Sequence, residues 1–183
     1  MKIFYQALAN SFISVCVINI IWFALSLWVY IETKSVFATS LMYGTYLVAV
    51  TLTGIWFGSI VDHNKKKTVM LISSIISSVT FVGGFLLYLT LPPESFKDQS
   101  SVGLWVMVFL VYIGVIVGNL RGIALPTLVT ILVPEDRRDK ANGMVGTING
   151  VSFLIASIIS GFLLATSGML WIFVISIVLM VVC

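Results

Sequence analysis

The sequence predicts an all-α membrane protein, a bundle of six transmembrane helices. Three observations predict it. Of 183 residues, 60% are hydrophobic and only 9% charged, where a soluble domain carries about 25% charged residues. The mean hydropathy is +1.14, more apolar surface than a water-soluble fold of this size can hide. The apolar residues also fall in long runs, while the charges gather in the short connections between them.

A spanning helix needs about 20 apolar residues at about 1.5 Å rise each. The first run covers roughly 8–31 and ends in "IETKS"; it lacks the small-residue cleavage site of a signal peptide, so it reads as a retained span. The second, roughly 36–61, runs into "DHNKKK". The third, roughly 68–91, is stopped by Pro92 and Pro93, whose rings cannot continue a helix. The fourth, roughly 102–132, carries Arg121 and is followed by "PEDRRDK". The fifth, roughly 141–165, closes at "TSGM". A sixth opens at Met169 and stops at Cys183. That last run, 169–183, rises only about 22 Å against a hydrocarbon core of about 30 Å, so the chain reads as cut inside its sixth helix.

Short connections make neighbouring spans antiparallel, and the positive-inside rule orients them. With the N-terminus in the cytoplasm, Lys2, Lys65, Lys66, Lys67, Arg137, Arg138 and Lys140 fall inside, against Lys34 and Lys97 outside. The lysine run is then a cytoplasmic loop held by anionic headgroups. The net charge of +3 belongs to these juxtamembrane residues. No basic stripe with interleaved aromatics suggests nucleic acid.

Other classes are absent from the sequence. No nucleophile–base pair, metal cluster or pair of carboxylates marks an enzyme. No phosphate-binding loop marks a nucleotide-driven pump, and no cofactor is expected. Cys16 and Cys183 lie in apolar runs without a second ligand cluster, so neither a disulfide nor a metal site is expected.

Within the spans, small residues recur at helical spacing, which lets backbones approach in lipid. Gly54 and Gly58 lie on the second span, Gly114, Gly118 and Gly122 on the fourth, and Gly146, Gly150 and Gly161 on the fifth. These stripes read as packing faces, or as close contacts able to slide as transporter helices must. Asn19, Trp22, Ser26 and Tyr30 share a face of the first span. They read equally as the wall of a water-filled path and, at Asn19, as a hydrogen bond to a neighbouring helix. Arg121 is the one charge inside an apolar run. It reads either as an arginine snorkelling to the cytoplasmic interface, or as a cavity residue that meets anionic groups or senses protonation.

The stretch "GSIVDHNKKK" resembles the loop signature of the major facilitator superfamily, which lies between that family's second and third helices. Gly58, Ile60, Val61 and Asp62 fit it, His63 takes the basic slot, Lys66 and Lys67 take the terminal basic slots, and Lys65 replaces the second glycine. The stretch from Leu132 to Gly168 is similar to the fourth loop and fifth helix of the efflux branch, which includes macrolide and siderophore exporters. There Gly150 and Gly161 remain, while Ala156, Ser157 and Ser160 stand where glycine, proline and glycine would be. The resemblance implies that the chain is the N-terminal half of a twelve-helix transporter in the cell membrane, partnered by a missing C-terminal half, the lipid bilayer and a small-molecule substrate. It implies that Asp62 meets a helix N-terminus of the second half, a favourable placing for a carboxylate. Lys66 or Lys67 would pair with Glu135 or Asp136, and together these would latch the inner gate. The expected function is proton-driven efflux of amphipathic small molecules such as drugs or siderophores. The alternatives are an importer or lipid transporter of the same superfamily, or a non-transporting membrane scaffold.

Overall fold

A computed structural model describes residues 2–183. The regular structure of the described residues is all helix, without a strand. Helix α1 runs Lys2–Thr33, α2 Val36–His63, α3 Lys66–Thr90, α4 Glu94–Lys97, α5 Val102–Leu132 and α6 Arg138–Val182, with a 3-10 turn at Glu135–Arg137 before α6. Five of these helices are long and apolar enough to cross a membrane. The chain is an integral membrane protein, all-α.

Each turn between helices has a local cause. Lys34 takes a positive φ of 50°, and its N–H closes α1 on the Tyr30 carbonyl at 2.9 Å, a left-handed helix cap. Ser35 then caps α2 by accepting the Ala38 N–H at 3.1 Å. After α3, Pro92 and Pro93 lead into α4, which turns Phe96 inward against Trp28, with ring centroids 5.1 Å apart. Trp28 and Phe96 are both buried, so this loop is anchored in the bundle.

The expected loop between a fifth and a sixth span is one residue. The helical stretch Arg138–Val182 is broken only at Gly168, with φ 77° and ψ 176°. That conformation is essentially restricted to glycine. "TSGM" supplies a single breaker, and the chain turns on it alone. The contacts with α1 follow the break. Before it, Ala141 and Val145 pack with Phe4, and Phe153 meets Phe23 at 5.0 Å. After it, Ser14 lies 3.6 Å from the Met180 sulfur, and Asn10 reaches the Cys183 carbonyl at 2.9 Å. The first arm therefore ascends beside α1 and the second descends.

The core lies around α1, α3, α5 and the second arm of α6. Val17, Ile21, Leu25, Met107, Val111, Ile172 and Phe173 are all buried there. Helices α3 and α5 join through small and hydroxyl residues. Ser73 donates to the Val117 carbonyl at 2.8 Å, and Ser77 donates to the Gly114 carbonyl at 2.7 Å. Such bonds between helices in lipid are worth roughly 0.6 kcal/mol each. By contrast α2 buries only Ala38, Met42 and Val61, so most of its surface is open.

Candidate functional site

Helices α1, α2 and α5 bring four aromatic rings together. Trp22 of α1 stacks on Tyr46 of α2, centroids 4.1 Å apart and planes 27° apart. Tyr43 stands edge-on to Trp22 at 5.3 Å, and Tyr112 of α5 leans on it at 5.4 Å. Helical spacing explains the grouping. Trp22 and Ser26 are four apart on α1, and Tyr43 and Tyr46 three apart on α2, so each pair shares a face.

The polar atoms of this cluster bond to one another. The Tyr43 hydroxyl donates to Ser26 Oγ at 3.0 Å, and Ser26 Oγ donates to the Phe23 carbonyl at 2.8 Å. The Tyr112 hydroxyl donates to the Met42 carbonyl. Asn119 Nδ2 donates to the Tyr46 hydroxyl at 3.4 Å. Each tyrosine hydroxyl of the cluster thus has a hydrogen-bond partner. Tyr112 also walls a largely apolar groove of about 650 Å³ between α2 and α5, together with Thr45, Trp105 and Phe109.

Of the stripe read from α1, Trp22 and Ser26 enter this cluster and Asn19 lies half-buried one turn before Trp22. Tyr30 does not join them: it is 46% exposed near the end of α1. Sequence reasoning missed Tyr43, Tyr46 and Tyr112. The i, i+3 tyrosines of "MYGTY" were the available signal for the first two. Nothing local marked Tyr112, which the tertiary fold delivers.

Arg121 is the largest fully buried side chain, 2% exposed, and does not snorkel to an interface. Its guanidinium donates to Asn10 Oδ1 at 2.6 Å, to Ser74 Oγ, and to the Cys183 carbonyl at 3.2 Å. Nε has no partner among the described residues. Arg121 therefore joins α1, α3, α5 and the end of α6, held by oxygens of Asn10, Ser74 and Cys183. Three helices, α1, α3 and α6, close over this stretch of α5 and give two of the three guanidinium nitrogens local acceptors. It borders a cavity of about 740 Å³ that also meets Lys67, Met70 and Met180.

The charged loops do not meet. Lys66 Nζ donates to the carbonyls of Asp62 at 3.2 Å and Asn64 at 3.4 Å. Asn64 Nδ2 donates to the Ile60 carbonyl at 2.9 Å. These side chains satisfy the orphan carbonyls at the end of α2. The Asp62 side chain is exposed. Among the described residues the one ion pair is local, between Arg137 and Asp136 at 3.5 Å and well exposed. The expected pairing of Lys66 or Lys67 with Glu135 or Asp136 is therefore not made in this conformation; Lys66 is instead taken up by carbonyls at the end of α2. No group of three or more His, Cys, Asp or Glu gathers among the described residues.

Only part of the glycine stripes is packed. A Cβ on Gly114 would strike Thr80 and Phe81, and one on Gly118 would strike Ile18. Gly84, on α3, faces Val111 and Phe173 less closely, at 2.9 and 3.3 Å from an added Cβ. Gly54, Gly58, Gly122, Gly146, Gly150 and Gly161 meet nothing within 4 Å of an added Cβ. They lie on faces of α2, α5 and the first arm of α6 that no helix of this bundle covers, so they are not packing glycines here.

Comparison with protein-family models matches residues 7–183 to the Major Facilitator Superfamily. No curated protein and no solved structure matches the chain.

Proposed function

The chain belongs to the Major Facilitator Superfamily and is a membrane transporter of that family; from this premise we propose that it is a secondary active exporter. Its cargo is an amphipathic small molecule, such as a drug or a siderophore, and a proton gradient drives it. The observation that carries the reading is the cluster of Trp22, Tyr43, Tyr46 and Tyr112. It presents large apolar rings with polar tips and no charged side chain, the chemistry of a pocket for amphipathic ligands. Tyr43 is 38% exposed beside it, so the cluster is reachable from the open side of the bundle.

The architecture proposed is six spans, with the reversal at Gly168 dividing α6 into two, and a second six-helix half. The second half would cover the small-residue faces at Gly54, Gly58, Gly146 and Gly150, since faces of small residues suit close helix contact. Substrate would bind between the halves, and rocking of one against the other would expose it to each side in turn. The N-terminus would lie in the cytoplasm and the protein in the cell membrane, by the lysine and arginine bias of its loops. In the inward-closed state Asp62 would meet a helix N-terminus of the second half.

The test is gradient-driven transport. Inverted vesicles with the complete transporter should accumulate a fluorescent amphiphile when an inward-acid proton gradient is imposed. Accumulation in right-side-out vesicles only would make the protein an importer. No gradient-dependent flux in either orientation would sink the reading.

A further inference from the structure

We infer that the cavity bordered by Arg121 holds one anionic membrane lipid. Its headgroup lies between Lys67 and Arg121, and the start of its acyl chains lies along α3. The site is separate from the aromatic cluster. Asn10, which holds Arg121, is about 18 Å along α1 from Trp22.

Charge points to an anion. The cavity of about 740 Å³ is lined by two cationic side chains, Lys67 and Arg121, and by no carboxylate side chain. The side chains that hold Arg121, Asn10 and Ser74, carry no charge. No Asp or Glu is buried among the described residues, and Lys67 makes no ion pair among them. A buried guanidinium without an anion is costly, and charged oxygen acceptors hold it best. Nε is the donor still without a partner among the described residues. An anionic headgroup supplies both the charge and the acceptor.

Depth and lining point to a lipid. Asn10 and Ser74 each lie eight residues from the starts of α1 and α3, about 12 Å along the helices. The hydrocarbon core is about 30 Å thick, so both counts place Arg121 within the leaflet at that end. In the orientation proposed above this is the cytoplasmic leaflet, the one that carries the anionic lipids. Lys67, at the start of α3, stands at headgroup level. Below it Leu71, Ser74, Ile75 and Ser78 continue the same wall of the cavity, at spacings that share one helix face. Leu71, Ile75 and Val79 of this wall are 51%, 53% and 65% exposed, so apolar surface is open to an acyl chain. A free phosphate would leave that surface uncovered.

The test uses phosphatidylglycerol and phosphatidylcholine with the same acyl chains. Each is titrated into the complete transporter, purified and stripped of lipid, and bound lipids are counted by native mass spectrometry. One phosphatidylglycerol should be retained, about tenfold more tightly than phosphatidylcholine. Lys67→Gln at the exposed rim should cut the preference about fivefold. Lys140→Gln, at the same end of the bundle but outside the cavity, should leave it unchanged. Arg121→Gln should abolish it. If Arg121→Gln does not fold, Ile75→Trp replaces it, filling the trough and releasing the lipid with both cations in place. Glycerol phosphate, a soluble headgroup, should not compete. Equal retention of the two lipids, or equal loss in Lys67→Gln and Lys140→Gln, would overturn the site. Full competition by glycerol phosphate would make it a site for soluble anions and overturn the lipid. None of these readouts measures flux, so the transport reading stands or falls separately.

Discussion

Trp22 lies nearly flat on Tyr46, ring centroids 4.1 Å apart, and so ties α1 to α2 at the middle of the cluster. An aromatic pair of this kind is worth about 0.5–1.5 kcal/mol beyond the area it buries. Trp22→Leu should therefore weaken binding of an aromatic amphiphile about threefold to tenfold, since 1.4 kcal/mol is tenfold. Trp22→Phe should recover part of it. Ligand titration of the purified variants checks this, and unchanged affinity in Trp22→Leu would remove the ring from the site.

Gly114 and Gly146 give opposite expectations for one substitution. Alanine at Gly114 would place a methyl against Thr80 and Phe81, whereas Gly146 opens on empty space. Gly114→Ala should destabilise the bundle by about 1–3 kcal/mol. Gly146→Ala in residues 2–183 alone should be neutral or slightly stabilising, since alanine is the better helix former. Thermal unfolding in mild detergent reads both. Equal midpoints would mean that the α3–α5 contact is looser than its geometry.

Arg121 spans two partners on different helices, Asn10 of α1 and Ser74 of α3. A lysine has one ammonium where the guanidinium has a planar fork. Arg121→Lys should leave a buried oxygen unpaired and cost about 1–3 kcal/mol. Denaturation of the purified variant measures it. Full stability in Arg121→Lys would show that the cage is not structural.

The loop prediction is a change of conformational balance. If Asp62 closes the inner gate against a helix of a second half, Asp62→Asn should favour the inward-open state. A coupling of about 1.4 kcal/mol would shift that equilibrium tenfold. Labelling of a single cysteine at the cytoplasmic mouth reports it. Unchanged labelling together with unchanged transport would leave Asp62 as an exposed residue at the end of α2.

The spanning helices were legible because hydrocarbon imposes one simple rule, a long apolar run with its charges outside. What the runs lacked was direction in space. The glycines of α2 and α6 have the same spacing as those of α5, and only contacts distinguish Gly114, pressed on Phe81, from Gly150, which faces nothing. The site was half legible for the same reason. Trp22 and Ser26 shared a visible face of one helix, but Tyr112 reaches them from 90 positions further along the chain, a pairing that periodicity does not carry. For Arg121 two readings stayed open, because its enclosing partners Asn10 and Ser74 come from other helices, which the sequence of α5 alone does not name.

The most direct test of the account is proton-driven efflux through the Trp22 cluster. The complete transporter is reconstituted in liposomes, a proton gradient is imposed, and movement of a fluorescent amphiphile is followed for wild type and Trp22→Leu at matched protein content. The account predicts gradient-dependent transport by the wild type, with the variant's apparent substrate affinity reduced about threefold to tenfold. Wild-type transport that ignores the gradient, or identical transport by Trp22→Leu at limiting substrate, would contradict it.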